Sequence, residues 1–535
     1  MSDYQRVRTP FANFGFVPDV PSNALGPNEY NNGLNVETDV RGIKKIGGEL
    51  EILSIIPHFP IFMDGGFRNN NNWVYIVATR DSSSQGRWYM VDTTTITNIT
   101  PGFSSNPSIT LPFYTEDVNI TTSWVGNVFF INDGINAPMY FLPSRTEISV
   151  DDELPDNYLW NYDVGVTSTT ANFVRNFCSP NVGNILIAGN LTKRYTTGQV
   201  INSPTTIRWS QAFANTGVPS TWMPTLSNVA NEQEIPVRGP IIDGFFLGGN
   251  FYVCSYWDTV ILSPMAYQSS TAPVFGVRLF NQGRGLINNN CWTNTDTNVY
   301  GVDSRDIWVF EGSNFNSLGN QKTRNYFFKN LSPTYGERLF MVNNTQKYQI
   351  EIYYPDLDST GWCNKMISWR YDLQLWNAPK DIENACMACE SPVFDGGFKY
   401  ASRTITYARN VESQKLVQTN VGNSFINNQP IHALFERNNL ALGQPYSSKV
   451  YVHRVLPEIA GTGSLDITVG GANSTAQDAT YGQVGHVEIV TDNPWVTTQQ
   501  NNVRTISVKV ESNDSTDAWN LTALNWQVTT VEDAF

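Results

Sequence analysis

Val299-Tyr300-Gly301-Val302-Asp303-Ser304-Arg305-Asp306-Ile307-Trp308-Val309-Phe310 is the stretch on which the reading of the fold turns. Two runs of β-branched and aromatic residues, each too short for a helix, flank a turn whose Asp and Ser side chains bond readily to nearby backbone. The stretch is therefore a β-hairpin. The same form recurs outward in both directions: an apolar strand, an acidic or polar turn, and a strand closing on an aromatic. Residues 73–79 with 87–92, and 125–132 with 139–142, are the clearest further pairs. Strands are also expected at 184–189, 206–210, 251–255, 259–263, 298–303, 306–311, 348–354, 365–372 and 403–409, with almost no helical periodicity. One hairpin cannot bury its apolar face alone, whereas four-stranded sheets packed around an axis can, and that arrangement is a β-propeller. The irregular period allows roughly five to seven blades. A pair of β-sandwiches without radial symmetry is the alternative.

The chain has 535 residues, beyond the roughly 250 to 300 at which one hydrophobic core stops growing, so more than one domain is expected. After a polar loop at 410–428 the strands lengthen and alternate, at 449–456, 464–469, 486–490, 503–511 and 521–530. Ile506-Ser507-Val508-Lys509-Val510-Glu511 places one face in a core and the other in water, as in a sandwich. The expected fold class is all-β. Residues 1–48, with Pro10, Pro18, Pro21 and Pro27, form an extended N-terminal arm packing on a neighbour or on the C-terminal domain. Residues 49–428 form an irregular β-propeller-like domain, and residues 429–535 a C-terminal β-sandwich platform.

Only 15% of residues are charged, against about 25% in an average domain, so uncharged polar groups must cover the surface. Asn, Thr and Ser fill that role in runs such as Asn69 to Asn72, Thr93 to Thr95 and Asn288 to Asn290. The net charge of −14 opposes tight nucleic-acid binding, which needs Lys and Arg to neutralise phosphates. It suits the wall of a channel along which DNA slides without sticking. No stretch approaches the 18 or so apolar residues that span a bilayer, and Met1-Ser2-Asp3-Tyr4-Gln5-Arg6 lacks the apolar core of a signal peptide. Stable membrane insertion and secretion by that route are not expected. Six cysteines are too few for a disulfide scaffold, and Cys178, Cys254, Cys291 and Cys363 lie in or beside apolar runs as buried thiols.

Each candidate chemical motif meets a plainer explanation. His58, His432, His453 and His486 show no zinc spacing and no Gly-x-Ser-x-Gly elbow accompanies them. Cys386-Met387-Ala388-Cys389 lacks the second pair that tetrahedral zinc needs, and reads as two unlinked thiols in a loop. Asp356-Leu357-Asp358-Ser359-Thr360-Gly361 begins like a calcium loop, but Ile367 stands where a bidentate Glu belongs; an acidic turn is the preferred reading of Asp356 and Asp358. Asp303, Asp306 and Glu311 offer carboxylates for a propeller-shaped glycosidase, yet no Ser-x-Asp-x-Gly-x-x-Trp box marks such a blade. No phosphate-cradling loop occurs. Trp209, Trp222, Trp308, Trp369 and Trp376 are expected to fill space between sheets. No catalytic, cofactor or metal residue is therefore assigned, and the chain is read as non-enzymatic.

Several segments, in order, resemble the β-propeller nozzle or tail tubular B proteins of short-tailed phages. Asn31-Asn32-Gly33-Leu34-Asn35-Val36 followed by Gly42-Ile43-Lys44-Lys45-Ile46-Gly47-Gly48 is similar to their opening segment. Trp88-Tyr89-Met90-Val91-Asp92 with Ile99-Thr100-Pro101 resembles their first blade, and Phe130-Ile131-Asn132-Asp133-Gly134 with Pro138-Met139-Tyr140-Phe141 the next hairpin. Ile207-Arg208-Trp209-Ser210 with Ser220-Thr221-Trp222-Met223-Pro224 resembles their Arg-Trp-Ser and Trp-x-Pro pair. Phe435-Glu436-Arg437, residues 450–456 and Val508-Lys509-Val510-Glu511-Ser512-Asn513-Asp514 resemble the closing sandwich.

The resemblance implies a structural virion protein, made in the host cytoplasm and assembled into the tail. It would be a homo-oligomer, a ring of roughly six copies closed by head-to-tail contacts. Its partners would be an adaptor ring below the portal, tail fibres or spikes, and viral DNA passing through the lumen without specific binding. The chain is shorter than the longer family members, which suggests a reduced distal tip. A tail-associated glycan hydrolase and a receptor-binding propeller are the alternatives.

Overall fold

The computed structural model describes residues 4–52, 55–69, 72–92, 95–102, 112–150, 159–179, 183–215, 217–265, 275–392, 403–410, 415–442, 448–474, 477–489, 495–498 and 502–532. The fold is all-β, with a β-propeller and a β-sandwich. Among these residues one α-helix occurs, Arg324–Asn330, between two sheets, anchored by the buried Phe327. Its apolar side chains fall in one turn and gave no period to read.

Successive meanders form the propeller. Blade 1 is Phe59–Asn69, Asn72–Arg80, Gly86–Val91 and Ile96–Asn98; blade 2 is Thr121–Val125, Val128–Asn132 and Met139–Phe141. Blade 3 is Val166–Ser179, Gly183–Tyr195, Val200–Trp209 and Asn231–Glu234; blade 4 is Ile241–Leu247, Asn250–Ser255, Asp258–Pro264 and Phe275–Gln282. The hairpin that opened the sequence reading lies in blade 5, Trp292–Asn294, Val299–Val302, Ile307–Phe310 and Phe315–Ser317. Blade 6 is Phe340–Asn344, Gln349–Tyr354, Cys363–Arg370 and Leu375–Trp376. Blade 7 is Lys380–Pro392, Arg403–Arg409 and Leu416–Thr419, completed by Glu49–Glu51 from the other end of the chain. Blades 6 and 7 share hydrogen bonds, because the start of Lys380–Pro392 still pairs with blade 6 before a bulge between Ala385 and Met387 turns it into blade 7.

The first strand of each blade lies innermost. These strands pack in succession, blade 2 on 3, 3 on 4, 5 on 6, 6 on 7 and 7 on 1. Side chains link the remaining neighbours: Thr122 Oγ1 donates to Asp64 Oδ2 at 2.6 Å between blades 2 and 1, and Trp292 Nε1 to Asp243 Oδ2 at 2.8 Å between blades 5 and 4. The result is a closed ring of seven blades, in which the only edges left at the circumference are those of each blade's outermost strand among the described residues. Gly66 permits the contact of blades 1 and 2, since a Cβ there would stand 2.5 Å from the Trp124 indole. Gly66→Ala is expected to destabilise the protein by about 1–3 kcal/mol through overpacking. A lower urea midpoint at unchanged slope would record it.

The sandwich consists of two sheets. One runs Val496–Thr497, Ser448–Thr462, Ala518–Glu532, Ile43–Lys45, Val36–Thr38, with Gln5–Pro10 also paired to Ala518–Glu532. The other runs Thr480–Glu488, Ser464–Ala472, Thr505–Ser512, Ala433–Leu440, Asn32–Leu34. Phe11, Phe14, Phe435, Val450, Val508 and Trp526 meet in a core that continues without a break into blades 4 to 6.

The described part of residues 1–48 packs on the C-terminal sandwich, as one form of the expected arm has it, but as strands built into both of its sheets and not as an extended arm laid over it. These strands span three to six residues and are bounded by Pro, Gly and Asn, too short to display alternation. The loop expected at 410–428 likewise contains the strand Leu416–Thr419. Residues 411–414 of that loop, Val490 of an expected strand, and Asn70, Asn71, Thr93 and Thr94 of the polar runs lie outside the described residues.

Candidate functional site at the propeller axis

All seven blades converge on one cavity of about 460 Å³. Its wall includes Ile61, Asn172 and Ile242 from inner strands of blades 1, 3 and 4, and Met387 from blade 7. The segments leading into blades 2, 5 and 6 contribute Glu116 to Ile120, Ile287 to Asn290 and Thr334 to Leu339. Amides bridge its floor: Asn119 Nδ2 donates to Asn172 Oδ1 at 2.8 Å, Asn289 Nδ2 to the Asn172 carbonyl at 2.8 Å, and Asn172 Nδ2 to the Ile242 carbonyl at 2.8 Å. Beneath them Arg175 donates from Nε and Nη2 to Asp243 at 3.0 and 2.6 Å, from Nη1 to the Thr122 carbonyl at 2.9 Å, and from Nη2 to the Asn289 carbonyl at 3.0 Å. One guanidinium thus joins blades 2, 3 and 4 and the segment leading into blade 5. This network ties the lining segments of blades 2 to 5 together on one side of the cavity.

At the cavity mouth Arg338 donates to Asp117 Oδ1 from Nε at 2.9 Å and Nη2 at 2.6 Å, and to the Gly361 carbonyl at 2.7 Å, with Glu116 Oε2 3.3 Å away. Arg80 also pairs with Glu116. The Arg338 guanidinium lies 5.0 Å from the ring centres of both Tyr335 and Trp362. Charge pairing and stacking together fix this rim.

The residues singled out from sequence do not gather here. Asp303 and Asp306 are buried and clamped by Arg284, at 2.9 and 3.0 Å. Asp303 Oδ1 also accepts the backbone N–H groups of Arg305 and Asp306 at 2.7 and 2.8 Å, and Asp306 Oδ1 those of Ile307 and the Ser317 hydroxyl at 2.9 Å. Glu311 is exposed just beyond the end of the strand Ile307–Phe310. These acids hold a turn. Asp356 Oδ1 accepts from Asn364 Nδ2 and from the Asp358 N–H, at 2.7 and 2.9 Å, as in an Asx turn. Among the described residues no three His, Cys, Asp or Glu side chains are grouped as metal ligands.

Two cysteine readings need correction. Cys386 and Cys389 lie buried in the strand Lys380–Pro392, not in a loop. Cys178 is exposed, because it falls near the end of Val166–Ser179, where alternation turns it outward. Burial pushes the Cys254 and Cys291 thiols up to about 12. The histidines are scattered. His486 is exposed and raised by hydrogen bonds to Asp466 and Glu488, whereas His453 is lowered by desolvation and Arg454 and meets the Tyr451 ring edge-on. Trp209, Trp222, Trp308 and Trp376 are buried between sheets, with Trp369 half-buried beside them. No helix among the described residues is long and apolar enough to cross a membrane.

No protein-family model matches the chain, and no curated protein does. Solved structures with a distant likeness include a chain of a mitotic checkpoint complex, at 9% identity over 70% of this chain and 91% of that one, with a TM-score of 0.37. An arabinoxylan arabinofuranohydrolase of glycoside hydrolase family 43 from Bacillus subtilis matches at 10% identity over 89% and 96%, with a TM-score of 0.23. PorZ, a surface component of the type IX secretion system of Porphyromonas gingivalis, matches at 8% identity over 77% and 44%, with a TM-score of 0.37. At these values no functional inference follows from the likeness.

Proposed function

We propose that this chain is a structural, ring-forming component of a virus particle, the nozzle at the end of a short phage tail. The observation that carries this reading is the knitting of propeller and sandwich into one stiff body by residues 5–51, which add strands to both sandwich sheets and to blade 7. A body of that kind acts through shape and association. The axial cavity of one chain holds only about 460 Å³, so the channel for DNA lies between copies, in a ring of roughly six closed by head-to-tail contacts. The net charge of −14 keeps a DNA polyanion from adhering to such a wall. An adaptor ring above and fibres or spikes around the nozzle are the partners of this assembly.

The test is electron microscopy of purified particles carrying a label on this chain, with sedimentation of the isolated chain alone and with its adaptor. Density on the tail axis and a species several times the 60.0 kDa protomer are expected. Peripheral label, or a monomer under every condition, overturns the reading.

A further inference from the structure

The axial cavity continues sideways into a second hollow of about 370 Å³ between blades 2 and 3. Asp117, Val118, Asn119 and Asn172 line both. The joined groove has a floor of amides, Asn119, Asn172 and Asn190, already fixed by hydrogen bonds to backbone. Apolar groups flank its outer opening, Phe113 and Ile135, 64% and 42% exposed. Along the lining, Thr115, Thr170, Thr334 and Glu337 have no side-chain hydrogen bond or ion pair among the described residues, which leaves their polar groups available to a bound molecule.

We propose that this groove binds a neutral oligosaccharide. Sugar hydroxyls both donate and accept, which matches a lining of amides, hydroxyls and one unpaired carboxylate, and a sugar's C–H face packs on an aromatic such as Phe113. Anionic chains, nucleic acid included, are opposed by Asp117, Glu116 and Glu337, because the positive charge of Arg338 is already committed to Asp117 and Glu116. The site binds without cleaving. Hydrolysis needs two carboxylates flanking one bond; here Glu116 and Asp117 are held by Arg80 and Arg338, and Asp133 accepts the Tyr114 hydroxyl and the Ile135 and Asn136 N–H groups, which leaves Glu337 without a second carboxylate to work with.

The experiment is a glycan array probed with the full chain, followed by calorimetric titration of the neutral oligosaccharide that binds best. Saturable binding is expected, weakened about tenfold or more by Thr334→Val with Glu337→Gln, and by Phe113→Ala, which removes an exposed ring and spares the core. Val484→Thr, on the far edge of the sandwich, is expected to leave the affinity unchanged. No saturable binding to any neutral glycan, affinity indifferent to all three groove substitutions, or groove-dependent binding of a peptide or single-stranded DNA in place of sugar each overturns the proposal. The inference does not rest on the nozzle reading: a nozzle that binds no glycan leaves that reading intact, and a glycan-binding chain found off the tail axis removes only the nozzle.

Discussion

Arg175→Met is expected to destabilise the protein by roughly 3–5 kcal/mol, the effect of leaving a buried charge without its partner. Asp243 is buried, and Arg175 is only partly exposed. Without the guanidinium, Asp243 retains the Trp292 N–H at 2.8 Å and the Gly244 N–H at 2.7 Å, which do not neutralise a carboxylate. The Thr122 and Asn289 carbonyls lose their donor as well. The three contacts that tie blade 3 to blade 2, to blade 4 and to the segment before blade 5 loosen together, since the one side chain makes them all. Guanidinium denaturation measures the loss, and Arg175→Met with Asp243→Asn is expected to recover a substantial part of it. A double variant as unstable as the sum of the two singles would show that the pair acts independently.

The second large effect lies where the N-terminal strands meet the propeller. Lys347 Nζ stands 2.8 and 2.9 Å from the two Glu37 oxygens, Lys44 Nζ 3.2 Å from the same carboxylate, and Glu37 is nearly buried. Burial alone would raise the Glu37 pKa, yet the ammonium groups of Lys347 and Lys44 outweigh it and hold the carboxyl well below the usual range. Lys347→Met is expected to destabilise by about 3 kcal/mol or somewhat less, because Lys44 remains. Glu37→Gln with Lys347→Met is expected to be milder than Lys347→Met alone. The sign with pH follows from the depressed value. The unfolded carboxyl binds its proton near about pH 4.3 while the folded one does not, so the pair's contribution is intact above that pH and lost as pH falls below it. An acid titration of Tm in which Glu37→Gln flattens the fall below about pH 4.3 supports this; an unchanged slope refutes it.

The hairpins were legible because their strands are dense in aromatic and β-branched residues and their turns carry Asp, as at Asp133 and Asp303. In both, one carboxylate oxygen caps the N–H groups two and three residues on. Ring closure was not legible, since Glu49–Glu51 pairs with Leu416–Thr419 across nearly the whole propeller, and three-residue strands show no period. The axial groove was hidden for a related reason. Asn119 and Asn289 stand just before strands and Asn172 inside Val166–Ser179, far apart in sequence, and only the fold brings them within hydrogen-bond reach. The run Asn288 to Asn290 just before the blade 5 hairpin was the one available signal. The acids that sequence favoured, Asp303 and Asp306, prove to be turn-formers whose charge Arg284 absorbs.

The threading of residues 5–51 through both domains sets the order in which the molecule can be completed. Gln5–Pro10 finds its partner only in Ala518–Glu532, and Glu49–Glu51 only in Leu416–Thr419. At synthesis rates of about 5–20 residues per second, these first strands wait on the order of half a minute to two minutes for their complements to emerge. Throughout that interval they are unsatisfied edges beside a growing chain, exposed to pairing with the same segment of a neighbouring nascent copy. Maturation limited by the arrival of the C-terminal strands is the expected consequence of this topology.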